Sequence, residues 1–445
     1  MTPLDWFKKE KPLLGLLGSG GGGAFTGAAS ADPVTVKYLL VGGGGGGGGG
    51  QGGGGGGAGG VRYATLEIPG GEAHPYQVGD GGAGQPSSSF PTGPLYGRGA
   101  TGTDSFFTDP TVNAGGGGGG GWQQVGPPGS QDHGANGNPF GGGGGGGGQD
   151  GPWTTISPGG TGGTGHPEVN HPLGSTYDGG TGYGGPGSGS GNRGGGGGGS
   201  GQEGGNADHG GPDAGGPTQN PGSGQVGGNG GIGTQIPTAY IPTDGRTAMI
   251  PASTANSADQ LYVYRPTVGY DMPAPDNFFG SKVPTCPYPY QRYWGSGGGG
   301  GSETARGGYG AGAPGWTNSN NYGGGGPAAG GATNDPASGA NGVPGINGRG
   351  GGGGGGGPGG NIAPGKNPAS PTGSWSNQGH AGGSGILIVQ YPNAYTLTRS
   401  QPTYTSDITG PGPEGVNYFV ALGPAGASKG YNWPHPGTGT VQWDS

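Results

Sequence analysis

Apolar and polar positions alternate in only a few places along this chain, and those places predict short β-strands. "PVTVKYLLV", Pro33 to Val41, alternates at Val34, Val36 and Tyr38 and is rich in β-branched residues. "GVRYATLEI" predicts a second strand, with Val61, Tyr63, Thr65 and Glu67 on one face and Arg62, Ala64, Leu66 and Ile68 on the other. "EAHPYQVGDGG" predicts a short third strand ended by glycine, and "GGSGILIVQY" supplies one over Ile386 to Tyr391. These strands fall at the two ends of a glycine-rich region, which suggests a small β element clamping its first and last parts together. "QLYVYRPTV", "AYTLTRS", "GVNYFVALG" and "GTVQWDS" predict further strands toward the C-terminus. An amphipathic helical pattern is confined to the start, "TPLDWFKKEKPLLGLLG", where Trp6, Leu13, Leu14 and Leu17 form an apolar side and Pro12 kinks or splits the helix.

Between the strands the pattern collapses into glycine. Near-pure tracts occupy Gly42–Gly50, Gly52–Gly57, Gly115–Gly121, Gly141–Gly148, Gly194–Gly199, Gly297–Gly301 and Gly351–Gly357. The chain holds 136 Gly and 44 Pro in 445 residues, together about 40% where ordinary usage is about 12%. Such a composition usually means disorder or a flexible linker. Disordered chains, however, carry high net charge and few aromatics, and this one has 8 Trp, 20 Tyr and 9 Phe beside 9% charged residues. Glycine in a three-residue polyproline-type helix makes no internal hydrogen bonds and turns every N–H and C=O outward. Without side chains such rods can lie against each other and bond laterally. Fixing a backbone costs about 1–2 kcal/mol per residue and a hydrogen bond returns about 0.5–1.5 kcal/mol. One rod alone is therefore unstable, and stability needs many rods, tight turns and an apolar clamp. Breaks such as Gln51 and Ala58 are expected at an outer face or a rod end.

The expected fold is mostly irregular and β: packed polyglycine-II-like rods clamped by a small β element, with a β-rich insertion, a C-terminal unit and almost no α-helix. Five regions follow from the composition: 1–30, an N-terminal peptide and linker; 31–233, the first glycine-rich part; 234–295, an aromatic and proline-rich lobe; 296–392, the second glycine-rich part; and 393–445, a C-terminal β unit.

Charge and candidate chemistry narrow the function classes. Net charge is −8 and the basic residues are scattered, which argues against nucleic acid, whose binders carry a basic patch or stripe. No stretch is long and apolar enough for a membrane helix, and the apolar run after "KKEK" is too short for a secretory signal. The single Cys286 provides no intrachain disulfide. Matches to G-x-G-x-x-G carry no information in so much glycine. "GNIAPGKN" lacks both the Ser or Thr and the helix of a phosphate-binding loop, since Asn367 and Pro368 follow the lysine. His133, His166, His171 and His209 lie near Asp132, Glu168 and Asp208 without a helix to give them a common face. We therefore expect no catalytic or metal site and no cofactor. The loop aromatics Trp122, Trp153, Tyr177, Tyr183, Trp316, Tyr322 and Trp375 are the candidates for recognition, because a ring with an apolar face and a polar edge stacks and hydrogen-bonds. Capping of rod ends is the equal alternative for each.

The framework "TVKYLLVGGGGGGGGGQGGGGGGAGGVRYATLEI", the "SSSF" loop and the closing "GGSGILIVQYP" closely resemble the glycine-rich domain of tailed-bacteriophage tail fibre and adhesin proteins over roughly residues 33–392. The head peptide, with Trp6, Phe7, Leu13, Leu14, Leu16 and Leu17, looks like the short anchor peptides of such fibres. The resemblance implies a virion location and attachment to another virion protein through that peptide. It further implies loops at the rod tips that bind a host-surface component, a glycan or an outer-membrane protein. Fibres of this kind are commonly homotrimeric, although the sequence has no heptad or trimer seam. The alternatives are a structural head fibre, decoration or connector protein without a receptor, a surface- or ice-binding rod protein, and a disordered chain.

Overall fold

A computed structural model describes residues 32–50, 52–85, 97–122, 124–125, 133–139, 141–147, 149–150, 156–157, 182–183, 193–201, 203–204, 206–207, 227–228, 230–231, 233–240, 293–301, 345, 348, 350–355, 379–400, 416–423 and 437–445. Among the described residues there are fifteen strands: β1 (Val34–Val41), β2 (Val61–Ile68), β3 (His74–Gln77), β4 (Ser105–Phe107), β5 (Asp109–Ala114), β6 (Gln124–Val125), β7 (Gln149–Asp150), β8 (Ile156–Ser157), β9 (Gly182–Tyr183), β10 (Thr234–Gln235), β11 (Tyr293–Trp294), β12 (Ile386–Pro392), β13 (Thr396–Arg399), β14 (Val416–Leu422) and β15 (Thr438–Asp444). Helix among the described residues is limited to one 3-10 turn, Thr238–Tyr240. The fold is thus the sheet-and-irregular one expected.

Two antiparallel sheets form the clamp, ordered β14-β12-β1-β2 and β13-β15-β3-β4-β5. The apolar side of β1 predicted by its alternation, Val34, Val36 and Tyr38, packs between them with Leu40, Ile68, Tyr76, Phe107, Leu387, Val389, Phe419 and Trp443. Its other side, Leu39 and Val41, packs with Val61, Ile386, Ile388 and Tyr418 beneath Ile236 and Trp294. Both faces of the first sheet are covered, which is why "YLLV" and "ILIV" run apolar without a break where one-sided strands would alternate. The strands described after residue 393 are divided between the sheets: β14 pairs with β12, and β15 pairs with β3.

Beyond the clamp, paired strands become paired rods without a change of register. Val41 stands opposite Val61, and the N–H groups of Gly42, Gly45 and Gly48 donate to the carbonyls of Gly60, Gly57 and Gly54. Val41 also stands opposite Ile386, and Gly44 and Gly47 donate to Gly383 and His380. Ser105 pairs with Ala114, and Gly102 and Gly99 donate to Gly117 and Gly120. A pair of strands that bonds at alternate residues continues as a pair of rods that bonds at every third. The reason is geometric: a polyproline-type helix has three faces, so a given neighbour is met once per turn.

Rod 42–50 shows the consequence in full. Its N–H groups donate in rotation to rods 53–60, 97–104 and 379–385, at 2.7–3.0 Å. Its carbonyls accept from rods 79–85, 115–121 and 350–355. The rod is enclosed by six others, three on its donor sides and three on its acceptor sides. Rod 53–60 is enclosed in the same way by rods 42–50, 115–121, 141–147, 193–199, 296–301 and 350–355. No side chain fits at any position from Gly42 to Gly48. A β-carbon at Gly42, Gly45 or Gly48 would overlap the carbonyls of Gly115, Gly118 or Gly121, far inside the 3.0 Å at which real contacts stop.

Rods at the surface relax this demand one face at a time. In rod 97–104, Gly99 and Gly102 are buried against Gly46 and Gly43, while Arg98, Ala100, Thr101 and Thr103 are exposed. Rod 79–85 has two packed faces and exposes Asp80 and Ala83, three residues apart. These rods were not expected, because the sequence reading sought unbroken glycine. Ala58 corrects that reading from the other side. It is fully buried within rod 53–60, donating to Gly198 and accepting from Gly142, and not at an outer face or rod end. Three residues earlier, Gly55 faces Gly298; the same face at Ala58 lies level with Gly295, where a φ of 68° turns the chain out of the rod. Gln51 lies outside the described residues.

Polar side chains gather where strands give way to rods. Ser105 Oγ donates to the Val41 carbonyl at 2.6 Å and accepts from the Gly79 N–H at 2.8 Å. Asp104 Oδ1 accepts from the Gly116 N–H at 2.8 Å and from Asn138 Nδ2 at 2.7 Å. Ser200, Thr234 and the Trp294 carbonyl make a third such knot. Each serves backbone groups stranded by the change from a two-residue to a three-residue bonding period. The hairpin β4–β5 lies inside the glycine-rich region, where no strand was expected. Its turn residue Thr108 has a φ of 63°, an unfavourable region for a β-branched side chain. Thr108→Gly is expected to raise stability by about 1 kcal/mol, the relieved strain exceeding the entropy glycine adds to the unfolded chain. A urea-unfolding midpoint that moves down would show that the turn stores no strain.

Candidate functional site

The direction of the rods gives the molecule two distinct ends. β1 runs from Val34 toward the bundle, so residues 32–33 lie at the sheet end, where Tyr395 Oη donates to the Pro33 carbonyl at 3.3 Å. The far end is marked by the turn at Gly50, whose φ is 97°. Gln85 and Gly97 lie at this level, since Gln85 donates to Gly47 and Gly99 to Gly120. So do Gly121, Gly145 and Gly195, which are bonded to the Gly54–Gly55 stretch, and Gly354 and His380, bonded to each other beside Gly47. The described residues that flank segments 86–96, 126–132, 151–192 and 356–378 lie toward this end, and β8 and β9 are the described residues within 151–192. Segment 241–292, by contrast, leaves from the sheet end. Its flanks β10 and β11 pair as a two-stranded neck, and Ile236 and Trp294 are buried against the first sheet.

The recognition candidates can be placed by this geometry. Trp122 ends rod 115–122 at the far end; it is half-buried, and its carbonyl lies against Gly147. Rods 115–122 and 141–147 run parallel and continue as the parallel pair β6–β7. Tyr183 lies in β9, its backbone paired with Ile156 of β8. Trp153, Tyr177, Trp316, Tyr322 and Trp375 lie outside the described residues. The head-peptide residues Trp6, Phe7, Leu13, Leu14, Leu16 and Leu17 are also outside them and precede β1 in the sequence. Cys286, the "GNIAPGKN" segment, and His166, His171 and His209 lie outside the described residues as well.

Among the described residues, five ionisable groups depart from their ordinary values. Partial desolvation against the rod surface pushes the Asp80 carboxyl above the usual carboxylate range. The Thr111 backbone and side-chain hydrogen bonds hold Asp109 below it. Burial raises the phenols of Tyr63, Tyr76 and Tyr391. Among the described residues no group of three or more His, Cys, Asp or Glu side chains is arranged to hold a metal ion. No helix among them is long and apolar enough to cross a membrane. The sequence reading overlooked His74 and His380. The first is buried, its Nε2 2.8 Å from the Pro69 carbonyl and its ring against Trp443; the second sits in a far-end rod.

No curated protein matches this chain, and no solved structure does. A family model described as a glycine-rich domain matches residues 18–240, from the head linker through the first enclosed rods to the 3-10 turn. That match spans half of the 445 residues, and the chain belongs to the glycine-rich domain family.

Proposed function

We propose that the protein is a virion fibre or adhesin whose glycine bundle holds an anchor peptide at one end and presents aromatic loops at the other. The observation that carries this reading is the opposition of the two ends. The chain enters at the sheet end at residues 32–33, after a sequence that includes Trp6, Phe7, Leu13, Leu14, Leu16 and Leu17, and the described candidate Trp122 ends its rod at the far end. A stiff body separating two apolar-aromatic regions suits a protein that must attach to a particle and reach a surface together. The phage-fibre likeness of the bordering strands supports the same reading. The host partner would be a surface glycan or outer-membrane protein met by ring faces. The chemistry is binding and not catalysis.

The test uses the full chain, fluorescently labelled, on a panel of bacterial cells and on their isolated surface glycans. Saturable binding is expected for one host. Replacing Trp153, Trp316 and Trp375 together by alanine should weaken it at least about tenfold, since aromatic anchors at binding surfaces contribute about 2 kcal/mol or more. Particle binding without any saturable cell binding would overturn the adhesin reading. It would favour the second one, a head fibre, decoration or connector protein without a receptor. The half-burial of Trp122 against a rod end favours that second reading for this residue alone. Trp122→Ala should therefore lower the melting temperature more than it changes cell binding.

A further inference from the structure

We propose that the line of chain from Val34 to Gly50 is a tension-resisting spine, which lets the protein withstand a pull applied between its two ends. β1 and rod 42–50 are continuous and span about 55 Å from the sheet end to the far end. From Tyr38 to Gly49 every residue of the spine is buried, while Thr35 and Lys37 of β1 are exposed. β1 has β12 on one side, paired from Lys37 to Val41, and β2 on the other, paired from Val34 to Val41. Rod 42–50 then has six neighbours and bonds to each in turn.

The direction of these bonds decides the mechanics. Ladder hydrogen bonds lie perpendicular to the strands, and the rod bonds likewise link each rod sideways to its neighbours. A pull along the spine loads all of them in shear, so many must fail together. The rods beside it are locked too closely to slide, because the glycine faces of one seat against the carbonyls of the next. A pull across the sheets acts differently. Among the described residues β13 is an edge strand, bonded to β15 by four residue pairs, Thr396↔Asp444 to Arg399↔Val441. A load there opens those pairs one after another. The same fold is thus strong along one axis and weak across it, whatever the far-end loops bind.

Single-molecule pulling on the full chain tests this, with Cys286→Ser as background and cysteine handles at exposed positions. One variant carries Thr35→Cys and Arg98→Cys, at the sheet end and the far end. The other carries Thr35→Cys and Thr396→Cys, both at the sheet end. Forced unfolding reads the barrier along the pulled coordinate. The end-to-end pair is expected to rupture at no less than about twice the force of the transverse pair at equal loading rate, because its bonds share the load. Equal forces, or a weaker end-to-end pair, would overturn the spine.

Discussion

Gly45→Ala is expected to destabilise the protein by about 3 kcal/mol or more, although it adds one methyl group. The β-carbon would overlap the carbonyl of Gly118 and crowd that of Gly117. Overpacking in ordinary cores costs about 1–3 kcal/mol because side chains can change rotamer to make room. Here the obstacle is backbone, held by the bonds of Gly57 to Gly118 and of Gly117 to Gly43, so the rods themselves must separate. Alanine stiffens the unfolded chain and returns only about 0.4–1 kcal/mol. Rod 97–104 supplies the internal control. Gly102→Ala should be severe, since its β-carbon would meet the Gly43 carbonyl. Ala100→Gly, on the exposed face of the same rod, should cost no more than about 1 kcal/mol. Chemical denaturation of these three variants reads the period directly. A mild Gly45→Ala would mean that the rods are not in contact.

Trp443→Ala should cost about 3–5 kcal/mol, the range for removing a large buried aromatic. Its ring is fully buried in the clamp and meets those of Phe107, Tyr391 and His74 at centroid distances of 6.3, 5.9 and 5.9 Å. Phe107 ends β4, the strand that carries rod 97–104, and Tyr391 lies on β12, which continues rod 379–385. Loss of the clamp therefore frees the ends of rods that flank the enclosed one. With stabilities of domains near 5–15 kcal/mol, this one truncation should remove a large fraction of the total. Trp443→Phe keeps the ring contacts and removes an indole N–H that has no hydrogen-bond partner among the described residues. It should cost less than about 1.5 kcal/mol. Thermal unfolding of both variants checks the pair, and an Ala variant no worse than the Phe variant would remove the clamp from the account.

The clamp strands β1, β2 and β12 were legible because hydrophobic burial wrote them. Val34, Val36 and Tyr38 alternate where one face looks into the core, and "YLLV" is continuous where both faces do. β4 and β5 were not legible. Only Ser105, Phe107 and Ala114 of those strands are buried, and their place in the fold is fixed by the Ser105 and Asp104 side chains bonding distant backbone. The pure tracts announced the enclosed rods, but rods 79–85, 97–104 and 379–385 escaped notice. Their signal was present as glycine every third residue at Gly99 and Gly102, and at Gly379, Gly382 and Gly385. Ala58 misled because tolerance for a methyl depends on where a neighbouring rod begins, which is a property of Gly295 more than two hundred residues away. Of the aromatic candidates, Trp122 lies at the far end, a position that follows from rod direction, which glycine itself does not encode.

Amide hydrogen exchange on glycine-labelled protein tests the lateral bonding most directly. The N–H groups of Gly42 to Gly48 and Gly54 to Gly60 each have a named carbonyl partner on another rod, and they should exchange only through cooperative opening, among the slowest in the protein. Exchange of these glycines at the rate of an unstructured peptide, while β1 and β12 remain protected, would contradict it.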